Sequence, residues 1–205
     1  MARWTDRGRK CISAAMKKLS SLSFLAVLLA NLVLAAPAFA SASLPAPDWA
    51  ERMAGHWMGE GVRVDVATGS QTLVEVEVRA EWHSEFAIPA IVSRNHFKET
   101  ALDAEGNPLR TKEYDRVYWV RESARSGSRV EILLGSGTDS SGPVGSRGSF
   151  DAANLVMIVQ QDLGSGNRVS SQSDMSNPGL TLYTETFWLS GRKKIWSEIR
   201  YQRLP

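Results

Sequence analysis

Cysteine is nearly absent: the 205-residue chain carries one, Cys11, and none after it. Beyond residue 40 this removes disulfides, thiolate nucleophiles and cysteine-based zinc or iron–sulfur sites. Histidine is scarce as well, with His56, His83 and His96 only. No two of them show His-x-x-x-His spacing, so no metal site is expected. No apolar run reaches the ~20 residues a membrane-spanning helix needs. Charge of one sign is also lacking, since 24 Lys+Arg stand against 22 Asp+Glu for a net of +2. The balance is uneven along the chain. The first 40 residues hold Arg3, Arg7, Arg9, Lys10, Lys17 and Lys18 against Asp6 alone, which leaves 18 basic and 21 acidic groups beyond them, a net of −3. Without a basic face to replace counterions on phosphate, nucleic acid is not an expected partner.

What is present begins with an address. Lys17 and Lys18 precede an apolar run from Phe24 to Ala36, broken only by Asn31, and small residues follow to Ala38-Phe39-Ala40. A basic segment, a short apolar core and an A-x-A site describe a secretory signal peptide. Residues 1–40 are therefore assigned to it, with cleavage after Ala40 and a periplasmic or secreted mature chain without a transmembrane span. Met16, just before Lys17-Lys18, is an alternative start to Met1. Cys11 follows Arg9-Lys10 and lacks the small apolar residues that precede a lipoprotein processing site.

The remaining composition is globular, with 43% hydrophobic and 22% charged residues. Residues 41–54 form a tether, Ser-Ala-Ser-Leu-Pro-Ala-Pro, and a short helix. Asp48 is expected as its N-cap with Glu51 as reciprocal partner; Trp49 and Met53 fall at i, i+4. From Gly55 the period becomes two. In 72–82 the even positions read Val74, Val76, Val78, Ala80, Trp82 and the odd ones Glu75, Glu77, Arg79, Glu81, a strand with one wet face. Similar runs at 57–66, 90–100, 109–121, 128–135, 154–161, 168–174, 180–190 and 193–203, with a short one near 147–150, give nine or ten strands. Turn signals such as Glu105-Gly106-Asn107-Pro108 and Asn177-Pro178-Gly179 separate them. Without helical patterns between them, the expected fold of 55–205 is an all-β, antiparallel up-and-down barrel, closed because closure removes exposed edges. An outer-membrane barrel needs an apolar outer face on every strand, and the charged face of 72–82 argues against one.

The strand opens on Gly55-His56-Trp57-Met58-Gly59-Glu60-Gly61. This resembles the Gly-x-Trp start of lipocalins and other calycins, and its extended form is similar to nitrobindin-like ten-stranded barrels and their uncharacterised bacterial relatives. The resemblance implies that Gly55 and Trp57 close the barrel and that an arginine of the last strand, Arg200 or Arg203, covers the Trp57 ring. It also brings haem into view, held by a histidine near the C-terminus. This sequence has no histidine after His96, so haem is not expected. His83 and His96 read as wet-face residues, and His56 as part of the closing motif.

Residue patterns for catalysis are absent. The Gly- and Ser-rich stretch 135–149 contains neither Gly-x-Ser-x-Gly nor Gly-Lys-Ser/Thr, and it reads as a hairpin loop at the barrel mouth. The pairs Glu75/Glu77 and Glu113/Asp115 read as solvated faces. A carboxylate among apolar neighbours is a better candidate for chemistry; Glu185 and then Glu198 fit, although an outward salt bridge is the expectation for both. Tyr and Trp cluster on the later strands and suit a pocket for a small apolar or amphipathic ligand. The ligand candidates are Tyr114, Arg116, Tyr118, Tyr183, Glu185 and Trp188; no catalytic residue is assigned. Both faces of 109–121 are mixed, so periodicity leaves open whether the set Lys112, Tyr114, Arg116, Tyr118, Val120 points inward. The leading expectation is an exported, non-catalytic, lipocalin-like binding protein without cofactor or metal. An interaction protein with a filled barrel is the alternative, and an isomerase or hydrolase with a barrel pocket comes third.

Overall fold

Alternation in 71–83 sends every even side chain to one side, and Val74, Val76 and Ala80 are buried there while Glu75, Arg79 and Glu81 face solvent. The same logic repeats along the chain. The computed structural model describes residues 44–205; the proposed signal peptide, its Ala40 cleavage point and Cys11 lie outside the described residues. Helix α1 (Asp48–Met53) is followed by β1 (Gly55–Asp65), β2 (Gln71–His83), β3 (Ala90–Leu102), β4 (Pro108–Ser126) and β5 (Arg129–Ser136). Then come β6 (Val144–Asp151), β7 (Val156–Gly164), β8 (Asn167–Asn177), β9 (Leu180–Leu189) and β10 (Arg192–Arg203). Each strand pairs antiparallel with its sequence neighbour, and β10 pairs with β1 to close the barrel. The fold is all-β with one short helix, and no helix among the described residues is long and apolar enough to cross a membrane.

One end is dry. Ala80, Ile91, Val120, Val130, Ile132, Phe150, Met157 and Met175 pack there against Trp49 and Ala50 of α1. Fully burying side chains of this size stabilises by about 1.5–3 kcal/mol each for the larger ones. Trp49 meets Trp82 edge-on with centroids 6.1 Å apart, and its Nε1 donates to Glu122 Oε2 at 3.1 Å. The helix thus plugs the barrel. Its start differs from the expectation: Pro47 occupies the N-cap position with extended backbone, and no side chain caps the helix. Asp48 is the first helical residue instead, because the Pro47 carbonyl already accepts from the Ala50 and Glu51 amides. Asp48 and Glu51 both sit in the first turn, where negative charge meets the positive end of the helix dipole.

The loop after β5 is a second correction. Residues 137–143 do not hang at the mouth but fold onto the outer wall. Ser140 is buried; its hydroxyl donates to the Ile88 carbonyl, and its own carbonyl accepts from Arg121 Nη1 at 2.8 Å. The segment covers Trp119, which is fully buried although it points away from the barrel interior. An exposed indole on that wall would be an apolar patch, and the loop removes it. The stretch after the loop, 144–151, is strand β6, which contains the short strand expected near 147–150 and extends into residues read as loop.

Candidate functional site

The register decides which side chains enter the barrel. Trp57 lies opposite Val78 and Arg203, Gly59 opposite Val76 and Tyr201, and Arg63 opposite Thr72 and Ser197. The odd residues of β1 therefore point inward, a charged Arg63 among them. On β4, Val120 pairs with Ile91, Tyr118 with Ser93, Arg116 with Asn95, Tyr114 with Phe97 and Lys112 with Glu99. Since Ile91 and Val120 belong to the core, the set Lys112, Tyr114, Arg116, Tyr118, Val120 is the inward one. Across the barrel, Ile199 pairs with Tyr183 and Ser197 with Glu185, so Tyr183 and Glu185 also face in.

Toward the end remote from α1 these side chains form a polar cluster. Glu99, 2% exposed, accepts from Arg63 Nη1 and Lys112 Nζ, both at 2.7 Å, and from the Tyr114 hydroxyl at 2.6 Å. Arg63 Nε also donates to Ser197 Oγ at 3.4 Å. Burial alone would raise the Glu99 pKa, but donation from Lys112 and Tyr114 and the charge of Arg63 outweigh it and bring it down to about 2. Burial likewise works to lower the Arg63 pKa, and the charges of Glu99 and then Glu185 raise it instead. The Tyr183 hydroxyl donates to Glu185 Oε2 at 2.7 Å, and its pKa is raised by burial first and by Glu185 second. Tyr201, edge-on to Tyr183 at 6.3 Å, is pushed up by burial and then by Glu185 and Tyr118. Burial also raises Tyr118, with Arg116 pulling the other way.

Arg116 stands apart from these pairs. Its guanidinium lies 5.3 Å from the Tyr114 ring centre, and among the described residues no carboxylate forms an ion pair with it. Several inward side chains near this region, including Tyr118, Val159, Ser171, Glu185 and Phe187, are only partly buried.

The sequence-derived candidates separate as follows. Tyr114, Arg116, Tyr118, Tyr183 and Glu185 all stand at inward register positions, with Arg116 solvent-exposed among them, so Glu185 is not the outward salt bridge expected of it. Glu198 is outward and meets Arg200 at 3.4 Å. Trp188 pairs in register with Arg168 and Lys193 on the outer wall, its ring 4.4 Å from the Arg168 guanidinium, because it alternates with inward Phe187. Of the closing residues, Gly55 takes a φ of 124° that favours glycine and lies against Arg203. Arg203, not Arg200, covers Trp57 at 4.7 Å, while Arg200 is 73% exposed. Sequence reasoning missed Arg63, Glu99 and Tyr201 as site residues. The available signal was parity: Trp57, Gly59, Gly61 and Arg63 alternate along β1, so placing Trp57 inside places Arg63 inside.

Such an interior defines a closed ten-stranded, calycin-like barrel with charged and phenolic groups in its lumen. In fold it is similar to the S-type phycobiliprotein lyase from Guillardia theta, with a TM-score of 0.51, 11% identity, and coverage of 77% of this chain and 92% of the lyase. By sequence, neither a protein-family profile nor a curated protein matches the chain.

Proposed function

We propose that this is an exported carrier that holds a small, anionic, amphipathic molecule inside its barrel without transforming it. The observation that carries the reading is Arg116, an inward cation beside Tyr114 that lacks a carboxylate partner among the described residues. Of the inward charges in this part of the barrel, Arg63 and Lys112 share the Glu99 carboxylate, and Glu185 takes the Tyr183 hydroxyl. An unpaired arginine fork matches a carboxylate, sulfate or phosphate head group. The partly exposed Val159 and Phe187 offer the apolar contact such a ligand's body requires. The basic and apolar pattern of residues 1–40 supports export.

Residue placement also supports the absence of haem. The inward positions of β9 and β10 hold Tyr183, Glu185, Phe187, Ser197, Ile199 and Tyr201, without a histidine. His56, His83 and His96 each meet a carboxylate, Glu77, Glu85 and Asp115 respectively. Axial ligation by tyrosine requires a phenolate, and burial makes Tyr183 and Tyr201 harder to ionise. Glu99, with its pKa held down to about 2, has no proton to donate and is a weak base at ordinary pH, which favours binding over acid–base chemistry. Native mass spectrometry of the protein purified from its own host tests the reading. The expected result is a co-purified anion of a few hundred daltons, released by denaturation and reduced in Arg116→Ala. Wild-type protein that never carries or takes up an anionic amphiphile would sink it.

A further inference from the structure

Three neighbouring turns at the end opposite α1 are bonded into one rim. The Gly191 amide donates to the Gly166 carbonyl at 3.0 Å, and the Val66 amide to the Lys194 carbonyl at 2.9 Å. The Ser190 amide donates to Asn167 Oδ1 at 2.8 Å. The β1–β2, β7–β8 and β9–β10 turns therefore hold fixed positions relative to one another. On this rim three apolar side chains stay in solvent: Val66 at 48%, Leu163 at 49% and Leu189 at 45% exposure. Turns tied in this way cannot tuck them in.

Around them, at these three turns, stand Arg168, Arg192, Lys193 and Lys194 against the acids Asp65 and Asp162, and the β3–β4 turn with the start of β4 at the same end adds Asp103, Glu105 and Arg110. Among the described residues only Lys194 of the four cations at the tied turns meets a carboxylate, Asp65 at 3.7 Å. Two tryptophans lie on the outer wall just behind the rim. Trp188 stacks under Arg168 at 4.4 Å, and Trp196 lies 5.5 Å from the Lys193 ammonium. Protruding aliphatic side chains, unpaired cations and amphipathic indoles at one level are the composition of a surface that settles into lipid head groups. Exposed apolar side chains grouped on one rim and flanked by charge mark an interaction site.

We propose that this rim docks on an anionic lipid bilayer, with Val66, Leu163 and Leu189 entering the head-group boundary and Arg168, Arg192 and Lys193 meeting lipid phosphates. The charge excess selects an anionic leaflet over a zwitterionic one. The docking face stands independently of what the barrel carries, although it would set the barrel's mouth against the membrane.

The full chain with Cys11→Ser serves as background for single labelling sites at Leu163→Cys, Leu189→Cys and, at the opposite end, Asn154→Cys. Each cysteine carries an environment-sensitive bimane fluorophore at an exposed site, and circular dichroism checks that each variant keeps the fold, since Asn154 Nδ2 donates to Asp151 Oδ2 in wild type. Vesicles of phosphatidylcholine with and without phosphatidylglycerol are then added. The expected result is a blue shift at residues 163 and 189 with anionic vesicles only, reversed by high salt, and none at residue 154. Because each label reports its own surroundings, membrane contact elsewhere in the chain does not imitate this pattern. Adding Arg192→Glu and Lys193→Glu should raise at least tenfold the concentration of anionic vesicles needed for the shifts at residues 163 and 189. The absence of a shift at both rim positions, or equal shifts with pure phosphatidylcholine, overturns the proposal. A shift at residue 154 as large as those at the rim also does so.

Discussion

The Arg203 guanidinium carbon lies 4.7 Å from the centre of the Trp57 ring, and the two residues face each other across the β1–β10 seam. Arg203 also donates to the carbonyls of Glu51 and Ala54, while Trp57 Nε1 donates to Met53 O at 3.1 Å. The pair thus joins the last strand, the first strand and the end of α1. Trp57→Ala should cost about 3–5 kcal/mol, the usual range for truncating a buried Trp. Arg203→Ala should cost less, about 1–3 kcal/mol, through lost stacking and carbonyls left without a donor. Arg200→Ala, at an exposed site, should stay within about 0.5 kcal/mol. A double-mutant cycle by urea denaturation should give non-additivity for Trp57 with Arg203 and additivity for Trp57 with Arg200. Additivity for both arginines would contradict this closure.

Glu99 sets a pH dependence whose sign is determined. Its folded-state pKa, about 2, lies below the ordinary carboxylate value. Ionised Glu99 therefore stabilises the fold above the unfolded-state value near 4.3, and this contribution is lost as pH falls toward 2. The shift corresponds to about 2–3 kcal/mol at most. Glu99→Gln should lower stability by a comparable amount at pH 7, leaving Arg63 and Lys112 without their counter-charge. The difference between wild type and variant should shrink steadily from pH 5 to pH 2. A gap that is unchanged over that range would show that Glu99 is not the group responsible.

The barrel was legible because β2 carries one apolar and one charged face, Val74, Val76 and Ala80 against Glu75 and Glu81, and the runs after it repeat the period of two. Alternation read in this way predicts a sheet, and the turn signals between strands predict antiparallel order. The lumen was less legible for a related reason. A charged residue on an alternating strand reads as wet, and Arg63, Lys112 and Glu99 satisfy one another inside the barrel. Strand β4 carries charges on both faces, so only its pairing with Ile91 and Ser93 on β3 determines which face is inner. Trp188 misled in the opposite direction. Its size and neighbours suggested a pocket, but Arg168 covers it on the outer wall. Outer tryptophans and inner charges are both invisible to a rule that equates apolar with inside.

Gly59 and Gly61 have a steric role that separates them by severity. A Cβ at Gly59 would meet the Tyr201 ring and Val76 Cγ1, each at 2.7 Å. At Gly61 it would meet the backbone of Glu198 on the paired strand. Side chains can shift more readily than a paired backbone, so Gly59→Ala should cost about 1–3 kcal/mol, typical of overpacking. Gly61→Ala should cost more, because β10 must move away from β1 at the barrel seam. Thermal unfolding monitored by circular dichroism would order the two. A Gly61→Ala variant as stable as wild type would show that the seam is looser than this geometry implies.

Ligand binding should discriminate between residues inside and outside the barrel. Anilinonaphthalene sulfonate, an aromatic anion, offers a charged head for Arg116 and an apolar body for the lumen. Arg116→Ala should weaken its binding roughly tenfold to a hundredfold, the consequence of losing a charged hydrogen bond of about 1.5–3 kcal/mol. Tyr118→Phe retains the ring and removes the hydroxyl beside Arg116, so a smaller loss is expected. Trp188→Ala should leave affinity unchanged, since its ring lies on the outer wall under Arg168. Fluorescence titration of the folded variants measures all three, with urea denaturation confirming that each is folded. If Trp188→Ala weakens binding more than Arg116→Ala does, the probe sits on the outer surface and the lumen is not its site.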